Sequence, residues 1–266
     1  MLNELKTRIR DLLPKSFQVP LKYWFGRMSG SLEEEMALLE LLVRKQDLVV
    51  DVGGNRGVYA YPLWRAGAVV EVFEPNPTCY VVLDAWAAGK KNVHLHSEAL
   101  SSESGSASLH IPVDESGLEH DASASIEHGE FEHVRDQLVS LQTLDSFCFD
   151  RVRLIKIDVE GHELGVIAGA EKTLATSRPA LLIEIEQRHN SKPIGEVFET
   201  IRCFGYHGYY MSHGMLVSLH DFDVERDQSI HNFGNPDGVY INNFLFLHKD
   251  RLDAGEYAAL ADGYMK

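Results

Sequence analysis

The sequence has few cysteines and no long apolar run. Its three cysteines, Cys79, Cys148 and Cys203, form no CxxC pair, which argues against a disulfide framework and against a zinc site. Apolar stretches such as 69–73 and 180–185 are far shorter than the roughly 20 residues that a membrane-spanning helix needs. The first residues mix charges into the pattern and lack the apolar core of a signal peptide. We therefore expect a cytoplasmic protein with no membrane span.

Basic residues are also scarce. The 266 residues include 25 Lys and Arg against 40 Asp and Glu, a formal net charge of −15, and basic runs do not exceed pairs such as Lys90–Lys91. Nucleic-acid-binding proteins concentrate cations to neutralise phosphates, so we expect no nucleic-acid partner. The acidic balance does not identify the substrate.

The central part of the chain alternates short apolar runs with helical patterns. The runs at 48–52, 69–73, 93–97, 154–158 and 180–185 are largely apolar, as in strands buried on both faces. Helical patterns at 59–66, 78–88 and 164–175 lie between several of them. This alternation predicts an α/β fold, in which helices cover a parallel sheet.

We divide the chain into three parts. Residues 1–44 are expected to form a helical extension, a lid or an oligomer contact, with Ser31 as a helix N-cap. Residues 45–250 form the main domain, interrupted by an inserted segment at 100–144 with a predicted hairpin around 103–105. A last strand within 240–247 is expected to join the sheet edge in antiparallel orientation, and residues 251–266 to form a tail.

A glycine-rich loop follows the first predicted strand. It reads Asp51-Val-Gly53-Gly54-Asn55-Arg-Gly57, and its glycines allow the backbone to approach a ligand closely. A dinucleotide site would carry Gly-x-Gly-x-x-Gly, but Asn55 stands where the second glycine belongs. The loop thus suits a cofactor with a cation and an amino-acid moiety better than one with two phosphates. Asp51 can bind the ammonium group of a methionine moiety.

The next two strand ends add candidate cofactor contacts. The second predicted strand ends in Glu74-Pro75-Asn76, and an acid at this position can accept hydrogen bonds from both ribose hydroxyls. Glu98 and Ala99 follow the third predicted strand, where the adenine edge is expected from the topology. Glu74 as a mere helix cap is the alternative interpretation.

Six motifs in order resemble the FkbM-type methyltransferase family. They are DVGGNRG, EPNP, EALS, Thr143-Leu-Asp145, IKIDVEGHE and LLIEIE, within about residues 47–186, with a weaker match around Phe244. The resemblance implies a class I methyltransferase, Rossmann-like fold: a mostly parallel seven-stranded sheet with an antiparallel last strand and helices on both faces. It also implies S-adenosylmethionine as methyl donor and, commonly, O-methylation of a saccharide or natural-product hydroxyl.

Candidate catalytic residues lie in the IKIDVEGHE motif. A hydroxyl acceptor must lose its proton, and Asp158 is the first candidate base, with His162 and Glu160 as alternatives. Asp158 also counts among the candidate cofactor contacts. We assign no metal ligands, although Mg²⁺ held by Asp158 with Glu184 or Glu186 is a less favoured alternative.

Three other functions stay open. They are an N-methyltransferase of a small molecule, a nicotinamide-dependent oxidoreductase, and a binding module of the same fold without catalysis. Asn55 in the glycine loop counts against the oxidoreductase. A homo-oligomer is also left open. We further expect the N-terminal helices, the insertion 100–144 and the loop 221–238 to enclose the acceptor.

Overall fold

A large mixed sheet forms the centre of the molecule. The structure is a computed structural model that describes residues 13–114, 119, 123–127, 133–233, 235 and 238–265. The main sheet has eight strands in the order β10-β9-β11-β8-β7-β1-β2-β3. Their bounds are β1 Leu48–Val52, β2 Val69–Phe73, β3 Val93–His96, β7 Val152–Ile157, β8 Ala180–Glu184, β9 Tyr206–Ser212, β10 Met215–Ser218 and β11 Asn243–His248.

The strand directions confirm the expected class I fold. Strands β3, β2, β1, β7 and β8 run parallel to one another, whereas β11 is antiparallel to both β8 and β9. The last strand is antiparallel as predicted, but it lies inside the sheet and not at its edge. The edge belongs to β10, an antiparallel partner of β9 that brings the strand number to eight.

Helices cover both faces of this sheet, because its strands are apolar on both sides. One face packs Val49, Val70 and Leu182 under α1, α2, α3, α4 and α10. The other face packs Ile155 and Ile183 under α5, α6 and α7. The helices are α1 Lys15–Ser29, α2 Leu39–Leu42, α3 Ala60–Arg65, α4 Pro77–Ala87, α5 Glu163–Ala168, α6 Glu171–Ser177, α7 Gly195–Cys203, α8 Val224–Asp227, α9 Lys249–Asp253 and α10 Ala258–Tyr264.

The helical pattern predicted at 164–175 is two helices, α5 and α6. They separate at Gly169, where an added Cβ would lie 2.0 Å from the carbonyl oxygen of Ser101. A residue without a side chain is therefore needed where the two backbones meet.

The insertion forms a second, three-stranded sheet. Its order is β4-β6-β5, from β4 Ala99–Leu100, β5 Gly105–Pro112 and β6 Val134–Gln142. The hairpin predicted around 103–105 is wrong, because β6 lies between β4 and β5 and pairs with both. A small apolar core of Leu109, Ile111 and Val139 supports this sheet.

The two ends of the chain pack onto the main domain where the structure describes them. Ser31 does not cap a helix, because a 3₁₀ turn begins at Glu34 after Glu33, without a side-chain cap. Tyr257 and Leu260, in the predicted tail, are buried in the core. Residues 1–12 lie outside the described residues, and the three-part division stays a prediction. Among the described helices, none has the length and apolar character to cross a bilayer.

Candidate active site

Most of the predicted site residues line one cavity of about 700 Å³ at the carboxyl ends of the parallel strands. From the predicted set, the lining contains Asp51, Gly53, Gly54, Asn55, Glu74, Pro75, Glu98, Ala99, Asp158, Glu160 and His162. Gly57 and Asn76 are not part of this lining. A cavity of this size is in the range of small-molecule sites.

The glycine loop is shaped by close backbone contacts. Gly53 has a φ of +77°, and an added Cβ would lie 1.9 Å from the carbonyl oxygen of Asp158. At Gly54, the same addition would come within 2.3 Å of Val72. Gly57 makes room for α1, since its Cβ would lie 2.8 Å from Val19. The lack of side chains at these positions therefore lets the loop pack closely on β2, on α1 and on the backbone of Asp158.

Asp51 provides a buried carboxylate beneath this loop. Its side chain is 2% exposed, and Oδ2 has no hydrogen-bond partner. Burial raises the pKa of Asp51 to about 7, although nearby Lys156 lowers it. An unpartnered buried acceptor is costly unless a ligand donates to it. The ammonium group expected for a methionine moiety has the right chemistry for this position.

Glu74 connects the first two strand ends. Its carboxylate accepts hydrogen bonds from the backbone N–H of Asn55 and, at 2.7 Å, from that of Asn76. Asn76 in turn caps α4, where its Oδ1 accepts from the Thr78 N–H at 3.0 Å. Glu74 thus clamps the glycine loop against β2 while it faces the cavity. The helix cap is Asn76, so the cap interpretation of Glu74 is wrong.

A buried lysine lies among acids on the face of the sheet that α1 covers. Asp51 and Lys156 are partners in the β1–β7 register, so their side chains share one face. Lys156 is 1% exposed, and its Nζ lies 4.0 Å from Oδ2 of Asp158 and 4.9 Å from the centre of the Tyr59 ring. Nζ also donates to Oδ1 of Asn243 at 3.3 Å. The ammonium group of Lys156 therefore offsets the negative charge of the Asp51 and Asp158 carboxylates, near the ends of β1 and β7.

Asp158 lies at the end of β7, and its side chain is 31% exposed. Enclosure raises the pKa of its carboxyl group, Lys156 lowers it, and Glu160 and Glu33 raise it, to about 6. A carboxylate with this pKa is ionised at neutral pH and is a stronger base than an ordinary aspartate.

Glu184, at the end of the neighbouring strand β8, has a more strongly raised pKa than Asp158. Burial and the charge of Asp158 raise its pKa to about 10, so its carboxyl group is protonated at neutral pH. Its Oε1 accepts a hydrogen bond from Nδ2 of Asn242 at 2.6 Å. Two adjacent carboxyl groups therefore have different protonation states, a pattern that suits acid–base chemistry.

His162 bridges the main domain and the insertion. Its Nδ1 lies 2.7 Å from Oε1 of Glu127, and its Nε2 lies 3.0 Å from Oγ of Ser101. Both ring nitrogens are engaged by protein groups. This geometry favours a positioning role for His162 over that of a base facing an acceptor.

Glu160 lies in a group of three side chains that a metal could bridge. Among the described residues, the ligand atoms of Glu160, Glu186 and His189 lie within 4.8 Å of one another. However, Nε2 of His189 already lies 2.9 Å from Glu160, and Arg188 donates to both carboxylate oxygens of Glu186 at 2.6 and 2.8 Å. A cation there has to compete with a guanidinium group. Asp158 and Glu184, which the sequence suggested as Mg²⁺ ligands, do not belong to this group.

Three segments outside the sheet complete the wall of the cavity. Phe25 comes from α1, Ile126 from the insertion, and Phe233 from the loop after α8. The guanidinium carbon of Arg188 lies over the ring of Phe233, 4.0 Å from the ring centre. The segments named from the sequence as enclosing the acceptor thus share one cavity with the glycine loop.

Comparison with known proteins identifies the family. The family model described as "Methyltransferase FkbM domain" matches residues 51–209. The chain belongs to the FkbM methyltransferase family. This FkbM protein is also 30% identical, over 165 residues, to "2-O-methyltransferase NoeI" of Sinorhizobium fredii (strain NBRC 101917 / NGR234), which covers 56% of the chain and 68% of that relative.

A solved structure of an FkbM methyltransferase shares the fold. An FkbM methyltransferase from Methylobacillus flagellatus KT is 16% identical with a TM-score of 0.50, over 77% of this chain. The FkbM protein spans only 44% of the length of that structure. A TehB-like S-adenosylmethionine-dependent methyltransferase from Corynebacterium glutamicum ATCC 13032 Kitasato is 13% identical with a TM-score of 0.42, over 88% of this chain and 98% of that one.

Membership of this family makes the chain a methyltransferase that uses S-adenosylmethionine as methyl donor. The residues present fit that donor, because Gly53 and Gly54 line the cavity without side chains and Asp51, in the same lining, has a buried carboxylate oxygen without a partner.

Sequence reasoning missed several residues of this cavity. Lys22 and Phe25 of α1 line it, as do Glu33 and Tyr59, whose hydroxyl donates to the Glu33 carboxylate. No motif marks the first two. Lys156 was visible as a lone cation in an apolar strand, and that signal could have indicated a buried charge cluster.

Proposed function

We propose that this FkbM protein O-methylates a hydroxyl group of a saccharide or natural-product small molecule. The observation that carries the proposal is the position of Asp158 in one cavity with Asp51 and Glu74. A base at the strand tip next to a methyl-donor site is the arrangement that hydroxyl methylation needs, because a hydroxyl is a poor nucleophile until it loses its proton.

Each side chain has a separate task in this proposal. Bound S-adenosylmethionine supplies an electrophilic methyl group on a sulfonium. Asp51 binds the ammonium group of the donor and Glu74 the ribose hydroxyls, with Glu98 and Ala99 near the adenine edge. Asp158 accepts the proton of the acceptor hydroxyl on a carboxylate oxygen. Holding acceptor and methyl carbon in line contributes most of the rate.

The name of the relative supports transfer to oxygen. The Sinorhizobium protein is called a 2-O-methyltransferase, and it matches more than half of this chain. The aromatic walls Phe25 and Phe233 suit a ring-shaped or apolar acceptor. The cytoplasmic location and a homo-oligomer stay predictions.

Two measurements test the proposal in order. Calorimetric titration with S-adenosylhomocysteine, with NAD as control, is expected to give micromolar binding of the first and none of the second. Acceptors are then screened by transfer of a labelled methyl group to saccharides, phenols and aliphatic alcohols.

Asp158→Asn is expected to lower kcat by about 10²–10⁴-fold with a much smaller loss of donor affinity. Equal losses in both would make Asp158 a binding residue.

An amine acceptor is the second candidate. Acids outnumber cations in the lining, where Glu33, Asp51 and Glu160 face only a few basic groups such as Lys22 and Lys156. An excess of acids also suits a cationic amine. The acceptor screen therefore includes amines, and methylation of amines alone would replace the proposal by N-methylation.

A further inference from the structure

Helix α1 presents a continuous apolar stripe to the outside. Its inner face packs Val19, Tyr23 and Gly26 against the domain. Five of the eleven exposed large apolar side chains in the described part of the chain lie on this helix: Phe17 at 63% exposure, Leu21 at 52%, Trp24 at 40%, Phe25 at 60% and Met28 at 86%. Their spacing places them on one side of the helix, opposite the buried face. An apolar patch of this kind marks an interaction surface.

Cations border this stripe. The 15 residues of α1 include Lys15 and Arg27, with Lys22 turned to the cavity, and no acid, although acids outnumber cations by 40 to 25 in the whole chain. Arg27 and Arg65 place their guanidinium carbons 5.7 and 5.5 Å from the centre of the Trp24 ring. The helix therefore combines aromatic and aliphatic side chains with positive charge at its rim.

We propose that α1 docks this protein on an anionic lipid surface. Apolar side chains of such a helix enter the boundary between headgroups and acyl chains, while Lys and Arg beside them bind anionic headgroups. The ring of Trp24 adds apolar area to the stripe, while its N–H donates to the hydroxyl group of Tyr61 at 3.2 Å. The helix lies on the surface and does not span it, since 15 residues are too few.

Charge argues for lipid over a second copy of the chain. In a two-fold dimer the same patch would face itself, and the cations of one rim would meet those of the other. Anionic headgroups neutralise that rim instead.

Docking also has a consequence for the cavity. Lys22, Phe25 and Gly26 belong both to α1 and to the cavity lining. The helix that contacts the lipid therefore forms part of the cavity wall, and docking brings the cavity next to the headgroups.

Vesicle flotation of the full chain tests the proposal. The protein is expected to float with phosphatidylcholine vesicles that contain phosphatidylglycerol, more weakly with phosphatidylcholine alone, and less as NaCl is raised. The double variant Leu21→Ser, Met28→Ser is expected to bind at least about tenfold more weakly. Leu138→Ser is the matched control, because Leu138 is 74% exposed and lies on β6, which is not part of the stripe.

Each outcome decides the proposal. It is overturned if the wild-type chain floats with neither vesicle, or if Leu138→Ser reduces binding as much as the stripe variant does. A dimer that the stripe variant turns into a monomer, without vesicle binding, would assign the stripe to a second copy. Leu21 and Met28 do not line the cavity, so unchanged S-adenosylhomocysteine binding shows that the variant is folded. That titration also separates this proposal from the proposed methylation.

Discussion

The ammonium nitrogen of Lys156 lies 4.0 Å from Oδ2 of Asp158, although the lysine side chain is only 1% exposed. A buried cation at this distance stabilises the ionised form of the acid. It opposes the effect of burial and of Glu160, which both raise the pKa of Asp158. The pKa of the candidate base Asp158 is therefore lowered by Lys156, which lies two residues earlier in the chain.

The pH dependence of turnover is expected to show the effect of Lys156 on the pKa of Asp158. Because a base works in its deprotonated form, kcat/KM for the acceptor, measured with saturating donor, should rise as the pH passes about 6 and be constant above. Lys156→Met removes the cation, so the inflection should move to higher pH. Lys90→Met, a lysine outside the cavity lining, is the control. An unchanged inflection in Lys156→Met would contradict the pairing.

Donor binding is expected to release a proton. In the free protein Asp51 has a pKa of about 7, and a bound ammonium group favours its carboxylate. Near pH 7, the enthalpy of S-adenosylhomocysteine binding should therefore depend on the ionisation enthalpy of the buffer. Asp51→Asn should bind more weakly and without the buffer effect. Buffer-independent enthalpy at pH 7 in the wild-type chain would speak against the role of Asp51.

Glu74 is expected to matter for donor affinity. Replacing it by alanine removes the acceptor for the ribose hydroxyls and for two backbone N–H groups, so binding of S-adenosylhomocysteine should weaken by about 1–3 kcal/mol. Glu71→Ala is the matched control: Glu71 is a buried acid on β2, shortly before Glu74, bound to His94 and His96 at 2.6 and 2.7 Å and outside the cavity lining. If both variants lose equal affinity by calorimetry, the ribose assignment fails.

Gly53 is expected to be intolerant of a side chain. Gly53→Ala combines a φ of +77° with a clash against the Asp158 carbonyl group, so urea unfolding should show a loss of about 2–4 kcal/mol. Gly89→Ala shares the left-handed backbone, with a φ of +80°, but meets nothing within 4 Å. That control should lose only about 1–2 kcal/mol. Equal losses would show that backbone conformation alone explains Gly53.

Local patterns predicted the elements that hold the donor side of the site. Strands β1 and β2 have the predicted bounds, because each is a largely apolar run between turn residues. The acids at their ends reach the cavity for the same reason, since parallel strands end at a common edge.

The pairing of the strands and the outer wall of the cavity could not be predicted from local sequence patterns. Nothing in the residues around 103–105 shows that β6, some 30 residues later, separates β4 from β5. The position of β11 between β8 and β9 is likewise set by packing of distant segments. Phe25 reaches the cavity through the packing of α1 on α3 and α4, which the sequence does not encode as a motif.

The central position of β11 has a consequence for synthesis. A ribosome makes the glycine loop, Glu74 and Asp158 long before it reaches Asn243, whose side chain accepts a hydrogen bond from Lys156. Until then β9 has no strand to join it to β8, and the buried lysine lacks its amide partner. The proposed donor-binding residues are therefore synthesised well before the sheet beneath them is complete, and β11, when it is made, completes both that sheet and the polar contacts of Lys156.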